Sequence, residues 1–192
     1  MGTDSDSFIS ASRDVEPAFT LFSTGRYALA KARKTNEGSF LELLTANLMV
    51  ALALEAFLNK AGLHIWGHDS AVWAGVERLS PLAKLKAIAE DSDFVLDFGS
   101  RPAQTMTGVT RFRNAIAHAK PELLEAEVAR EVAEAGLAFP EGAPELTAEW
   151  EQNCTIAFAE RALDDLAELT EKLSLHIGIA NPLHIGGVSV WG

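Results

Sequence analysis

Arg111, Arg113, Asn114 and His118 fall within two turns of a single stretch, Thr110-Arg111-Phe112-Arg113-Asn114-Ala115-Ile116-Ala117-His118-Ala119-Lys120-Pro121. A histidine titrates near neutral pH and can pass a proton in either direction. An arginine presents a planar fork of donors that matches a phosphate. Asn114 can hydrogen-bond a substrate or fix the imidazole. Together these types equip a site for acid–base chemistry beside a phosphoryl group. The stretch reads as the end of a helix closed by Pro121, which cannot continue one. Val109, Phe112 and Ile116 make one apolar stripe, while Arg111, Asn114 and His118 share the opposite face. If the stripe is buried within the chain's own bundle, the polar trio faces a cleft or a second subunit.

The helix needs partners, and the sequence supplies them. Helix one is predicted over 15–34, with Phe19, Phe22 and Ala30 inward, and Asn36-Glu37-Gly38 breaks it. Ser39 starts helix two, with Glu42 three residues on as a capping box, and Gly62 ends it as the residue after the C-cap. Leu41, Leu44, Leu48, Leu52 and Phe57 leave this helix apolar almost all round, as expected of a central one. Glu42, Asn47, Glu55 and Asn59 interrupt the run and argue against a membrane span. Glu55 and Asn59 share a face, and an ionised Glu55 in such a helix needs a cation, for which Arg111 and Arg113 are the candidates.

After a connection over 63–69, a short helix is predicted over 70–79 with Asp69 as its cap. Another runs over 81–90 behind Ser80-Pro81, and the motif helix follows Ser100 and Pro102. Residues 121–135 carry a weak helical stripe, and Gly136 to Pro144 reads as a linker loop. A last long helix starts at Pro144 or Thr147 and ends near His176, with Trp150, Ile156, Leu163, Leu166 and Leu169 inward. The tail from Gly178 is apolar and glycine-rich. The expected organisation is a disordered segment over 1–14, a single helical domain over 15–177 and an apolar tail over 178–192.

Composition limits the function. With 48% hydrophobic residues and seven prolines among 192, the chain is expected to fold and to be soluble. One cysteine, Cys154, excludes an intrachain disulfide and suggests a reducing compartment. The polar, acidic first residues lack the pattern of a signal peptide, so a cytoplasmic location is expected. A net charge of −11 opposes nucleic-acid binding in general. Its distribution does not: Pro17–Asn36 and Phe98–Pro121 lack acidic residues and hold Arg26, Lys31, Arg33, Lys34, Arg101, Arg111, Arg113 and Lys120. Were the helices carrying them neighbours, they would pool into a basic patch; otherwise they are two solvated faces.

Competing sites are weaker. His64 and His68 have helical metal-pair spacing, but Gly67 disturbs the helix and no Glu-x-x-His accompanies them. Glu160, Asp164, Asp165 and Glu168 crowd one helix as a solvated acidic face. Cys154 is placed mid-helix among apolar residues and reads as inert. No phosphate-binding glycine loop, nucleophile elbow or zinc ribbon is present in the sequence.

Arg113-Asn114 followed by His118 resembles the Arg-x4–6-His signature of HEPN domains, and Arg111 fits the same signature at its longer spacing. A polar residue directly after the arginine favours Arg113, whereas the helical wheel favours Arg111; both are carried. Ala53-Leu54-Glu55-Ala56-Phe57-Leu58-Asn59 and Ser80-Pro81-Leu82-Ala83-Lys84-Leu85 resemble such proteins in the same order. The resemblance covers roughly residues 15–120 and implies an all-α, HEPN-like antiparallel bundle, here with an added long C-terminal helix. It further implies a homodimeric, metal-independent endoribonuclease without cofactor, in a toxin–antitoxin or phage-defence setting. RNA is then the substrate, and an antitoxin or effector protein a partner. In that reading His118 is general base or acid, Arg113 the phosphate clamp and Asn114 the positioning residue, with Arg111, Lys120, Glu55 and Asn59 in support. The first rival is a catalytically silent dimeric module that binds RNA or a partner protein. The second is a helical-bundle protein for a small molecule or metal.

Overall fold

A computed structural model of the chain describes residues 15–35, 38–124 and 147–184. Among the described residues all regular structure is helical: α1 (Pro17–Ala32), α2 (Ser39–Trp66), α3 (Ala71–Val76), α4 (Pro81–Asp91), α5 (Ala103–Ala117), a 3-10 turn (Glu151–Asn153) and α6 (Ile156–Ile177). The all-α expectation holds. The expected disordered segment over 1–14, the linker loop and most of the 121–135 stretch and the apolar tail lie outside the described residues; Pro121–Leu124 are not helical.

The bundle is built on α2. Its 28 residues bury Val50, Ala53, Leu54, Phe57 and Leu58 completely, and α1, α3, α4, α5 and α6 all pack on it. By length and composition this helix could cross a membrane, yet half of its most apolar window is covered by other helices. At Gly25 the α1 backbone comes so near α2 that an added Cβ would lie 3.3 Å from the Ala46 carbonyl oxygen and from the Met49 Cβ. Leu85 and Ile88 of α4, Met106, Val109 and Phe112 of α5, and Leu166, Leu169 and Leu173 of α6 complete one core. Each such side chain contributes about 1.5–3 kcal/mol on burial.

Helix ends depart from the sequence reading where tertiary packing overrides a local signal. Gly62 does not end α2: it is a notch for Trp73 of α3, whose ring atom would stand 2.2 Å from an added Cβ. The helix runs on to Trp66, which stacks on Trp73 with ring centroids 6.3 Å apart, and Gly67 stops it at φ 78°. At the other end Gly38, at φ 77°, takes the N-cap position without a side-chain cap, and Glu42 pairs with Lys31 of α1 instead of closing a capping box. Ser70, not Asp69, caps α3. The Ser80-Pro81 start of α4 is as expected, with Ser80 Oγ accepting from the Ala83 N–H at 3.4 Å.

The last helix starts later than expected. The chain breaks after the 3-10 turn, and Thr155 caps α6 by accepting the Phe158 N–H at 3.2 Å. Cys154 therefore sits, buried, in that break and not in a helix. Ile156 faces solvent rather than the core. The acidic face of α6 is not uniformly solvated either: Asp165 is 1% exposed and held by Arg101, Glu160 pairs with Arg33 and Glu168 with Lys172.

Candidate functional site

The site begins on α2, where Glu55 and Asn59 lie one turn apart, both half-buried. Arg113 of α5 is half-buried opposite them. Its Nη2 stands 3.6 Å from Glu55 Oε2, an ion pair beyond hydrogen-bond length, and its Nη1 donates to Asn114 Oδ1 at 3.1 Å. The apolar stripe sets this pose: Val109 and Phe112 are sunk in the core, so Arg113 falls at the boundary facing α2. Ile116 is half-buried, while Arg111, Asn114 and His118 are exposed on the other face.

Asn59 has its own cation. Lys84 of α4 is 1% exposed and donates from Nζ to Asn59 Oδ1 at 2.5 Å. Its ammonium also lies 5.9 Å from the centroid of the Trp73 ring, within cation–π reach. Burial lowers the proton affinity of Lys84, and the carboxylates of Glu55 and Glu77 act against that loss. The two half-buried polar residues of α2 thus each meet a cation from a different helix. Lys84 was not among the expected site residues. Its signal was present, because Pro81, Lys84, Leu85 and Ile88 follow helical spacing and put a lysine on the buried stripe of α4.

His118 stands at the C-cap of α5, where its N–H donates to the Asn114 carbonyl at 3.0 Å; its ring has no hydrogen-bond partner among the described residues. Arg111 and Lys120 are exposed and likewise unpartnered among the described residues, Lys120 lying beyond the helix end. Of the expected set, Glu55, Arg113 and Asn114 come together, Asn59 adjoins them through Lys84, and Arg111, His118 and Lys120 line the open face and end of α5.

The pooled basic patch does not form. α1 and α5 each pack chiefly on α2 and α6, and several cations of the two basic stretches are already paired: Lys31 with Glu42, Arg33 with Glu160 and Arg101 with Asp165. His64 lies on α2, its Nε2 3.2 Å from the Ile177 carbonyl oxygen, whereas His68 lies in the loop past Gly67. The two do not share a helix face.

Chemically, the arrangement offers a guanidinium anchored on one side by a carboxylate, an amide bonded to it, and an imidazole one turn further on that is unengaged among the described residues. An anchored guanidinium with exposed neighbours can receive a phosphate, and a free imidazole can exchange a proton. No family model, curated protein or solved structure matches this chain.

Proposed function

We propose that the chain is a metal-independent endoribonuclease of HEPN type, acting as a homodimer. The observation that carries the reading is the pairing of Glu55 on α2 with Arg113 on α5, beside Asn114 and one turn before the open His118. These are the residues through which the sequence resembles the family. In this mechanism Arg113 holds the phosphate and offsets the charge growing on its oxygens. His118 takes the proton of the attacking 2′-hydroxyl or gives one to the leaving oxygen. Asn114 keeps the guanidinium oriented, and Glu55 fixes it from behind. The Arg113–Glu55 pair, at 3.6 Å, is loose enough to leave the guanidinium free to meet an anion.

A second reading, a silent module that binds RNA or a partner protein, is favoured by one feature. Within one chain no described residue fixes the His118 ring in a tautomer. In the nuclease reading a second copy supplies that environment across a shared cleft. Incubation with varied RNAs in excess chelator, comparing wild type with His118→Ala, separates the two. Cutting by wild type alone supports the nuclease, whereas equal RNA retention by both without any cutting supports the module.

A further inference from the structure

Away from Arg113, the first half of α5 and the first turns of α6 flank an open pocket of about 290 Å³ lined by Arg101, Gln104, Thr105, Gly108, Phe158 and Arg161. One of its cations is fixed in advance, and the other lies over an aromatic ring. Arg101 donates from Nε and Nη2 to Asp165 at 2.6–3.0 Å, which leaves Nη1 without a partner among the described residues. Arg161 stands with its guanidinium carbon 5.4 Å from the Phe158 ring centroid and pairs with no carboxylate among the described residues. Thr105 is buried, yet its hydroxyl makes no hydrogen bond there, whereas Thr107 and Thr110 turn theirs back to the Ala103 and Met106 carbonyls at 3.1 and 2.8 Å. Gln104 adds an amide at the rim. One held guanidinium, a second lying over the Phe158 ring, an unused hydroxyl and an amide around one concavity match the oxygens of a phosphoryl group, with part of the ordering done before binding.

We propose that this pocket binds a phosphoryl group of an RNA backbone, as a second anchor for the strand that reaches His118. Gln104, Arg111 and His118 recur at seven-residue spacing and so fall nearly in line along the exposed face of α5. At 1.5 Å per residue about 21 Å separates Gln104 from His118, so an extended strand leaving the pocket passes Arg111 on its way to the imidazole. That the phosphate comes from RNA rests on the ribonuclease reading; that the pocket takes a phosphoryl group does not.

The test uses the whole chain and a 2′-O-methyl oligoribonucleotide, which lacks the attacking hydroxyl and reports binding whether or not the protein cuts. Side-chain Nε–Hε resonances of Arg101 and Arg161 should shift on its addition. Arg161→Gln should weaken its binding about ten-fold, and lower the dependence of log affinity on log salt by about 0.7. Inorganic phosphate should move the same resonances at higher concentration. Oligonucleotide binding that leaves both arginines unmoved and is unaffected by Arg161→Gln overturns the proposal. Shifts with phosphate or a mononucleotide but none with the oligonucleotide overturn the RNA source. Failure of wild type to cut unmodified RNA defeats the nuclease reading alone, since the oligonucleotide measurement is independent of cutting.

Discussion

The buried Lys84 is the residue whose chemistry is most constrained. Among the described residues its ammonium has one hydrogen bond, to Asn59, and an aromatic face, and burial lowers its proton affinity in the folded state. Between that lowered value and the ordinary value of 10.5 the unfolded chain binds the proton and the folded one does not. Stability contributed through Lys84 therefore rises with pH across that window. Urea unfolding of wild type and Lys84→Met should show a difference that shifts towards wild type as pH climbs from 8 to 10; a difference flat with pH would contradict this. Cys154 behaves in the opposite chemical sense. Burial pushes its thiol up to about 11, so the native chain should resist alkylation at pH 8 while the unfolded chain reacts readily. In the proposed ribonuclease, Arg113→Ala should lower RNA cutting about 100-fold in kcat, as loss of a charge-stabilising donor does. Arg111→Ala should act chiefly on binding, because Arg111 has no structural anchor among the described residues.

Among the elements, α5 was legible almost completely and α6 was not. The α5 stripe of Val109, Phe112 and Ile116 and its closure before Pro121 are local signals that tertiary packing leaves alone. The start of α4 at Ser80-Pro81 is of the same kind. Gly62, by contrast, looked like a helix end because glycine serves there so often. Its actual role depends on Trp73, eleven residues on in another helix, which no local pattern reveals. Gly62→Ala should force the indole aside and cost about 1–3 kcal/mol in denaturant unfolding; an unchanged midpoint would show that the notch is not needed. The α6 boundary was missed because Trp150 and Ile156 mimic a continuous stripe across a real break at Cys154 and Thr155. Thr155→Ala should cost about 1 kcal/mol through the lost cap.

Across the whole molecule the charge pattern carries the most weight. The net charge of −11 is not relieved by a pooled basic face, since Lys31, Arg33 and Arg101 are each paired with a separate carboxylate. What the sequence conveyed about the site was its composition on α2 and α5. It also named Arg111 and Arg113 as the candidate cations for Glu55, of which the fold selects Arg113; what it concealed was the burial of Lys84 against Asn59 and the assignment of Asp165 to Arg101. Those contacts depend on how five helices turn about α2, and residue spacing within one helix does not encode that. The homodimer expected of the proposed enzyme belongs to this scale, and sedimentation at micromolar concentration should give twice the chain mass.

The most direct measurement is RNA cleavage in excess chelator by wild type, His118→Ala and Arg113→Ala, each checked for helicity and assembly. The proposed function predicts cutting by wild type and its loss in both folded variants. Equal cutting by all three, or none by any across varied RNAs, would contradict it.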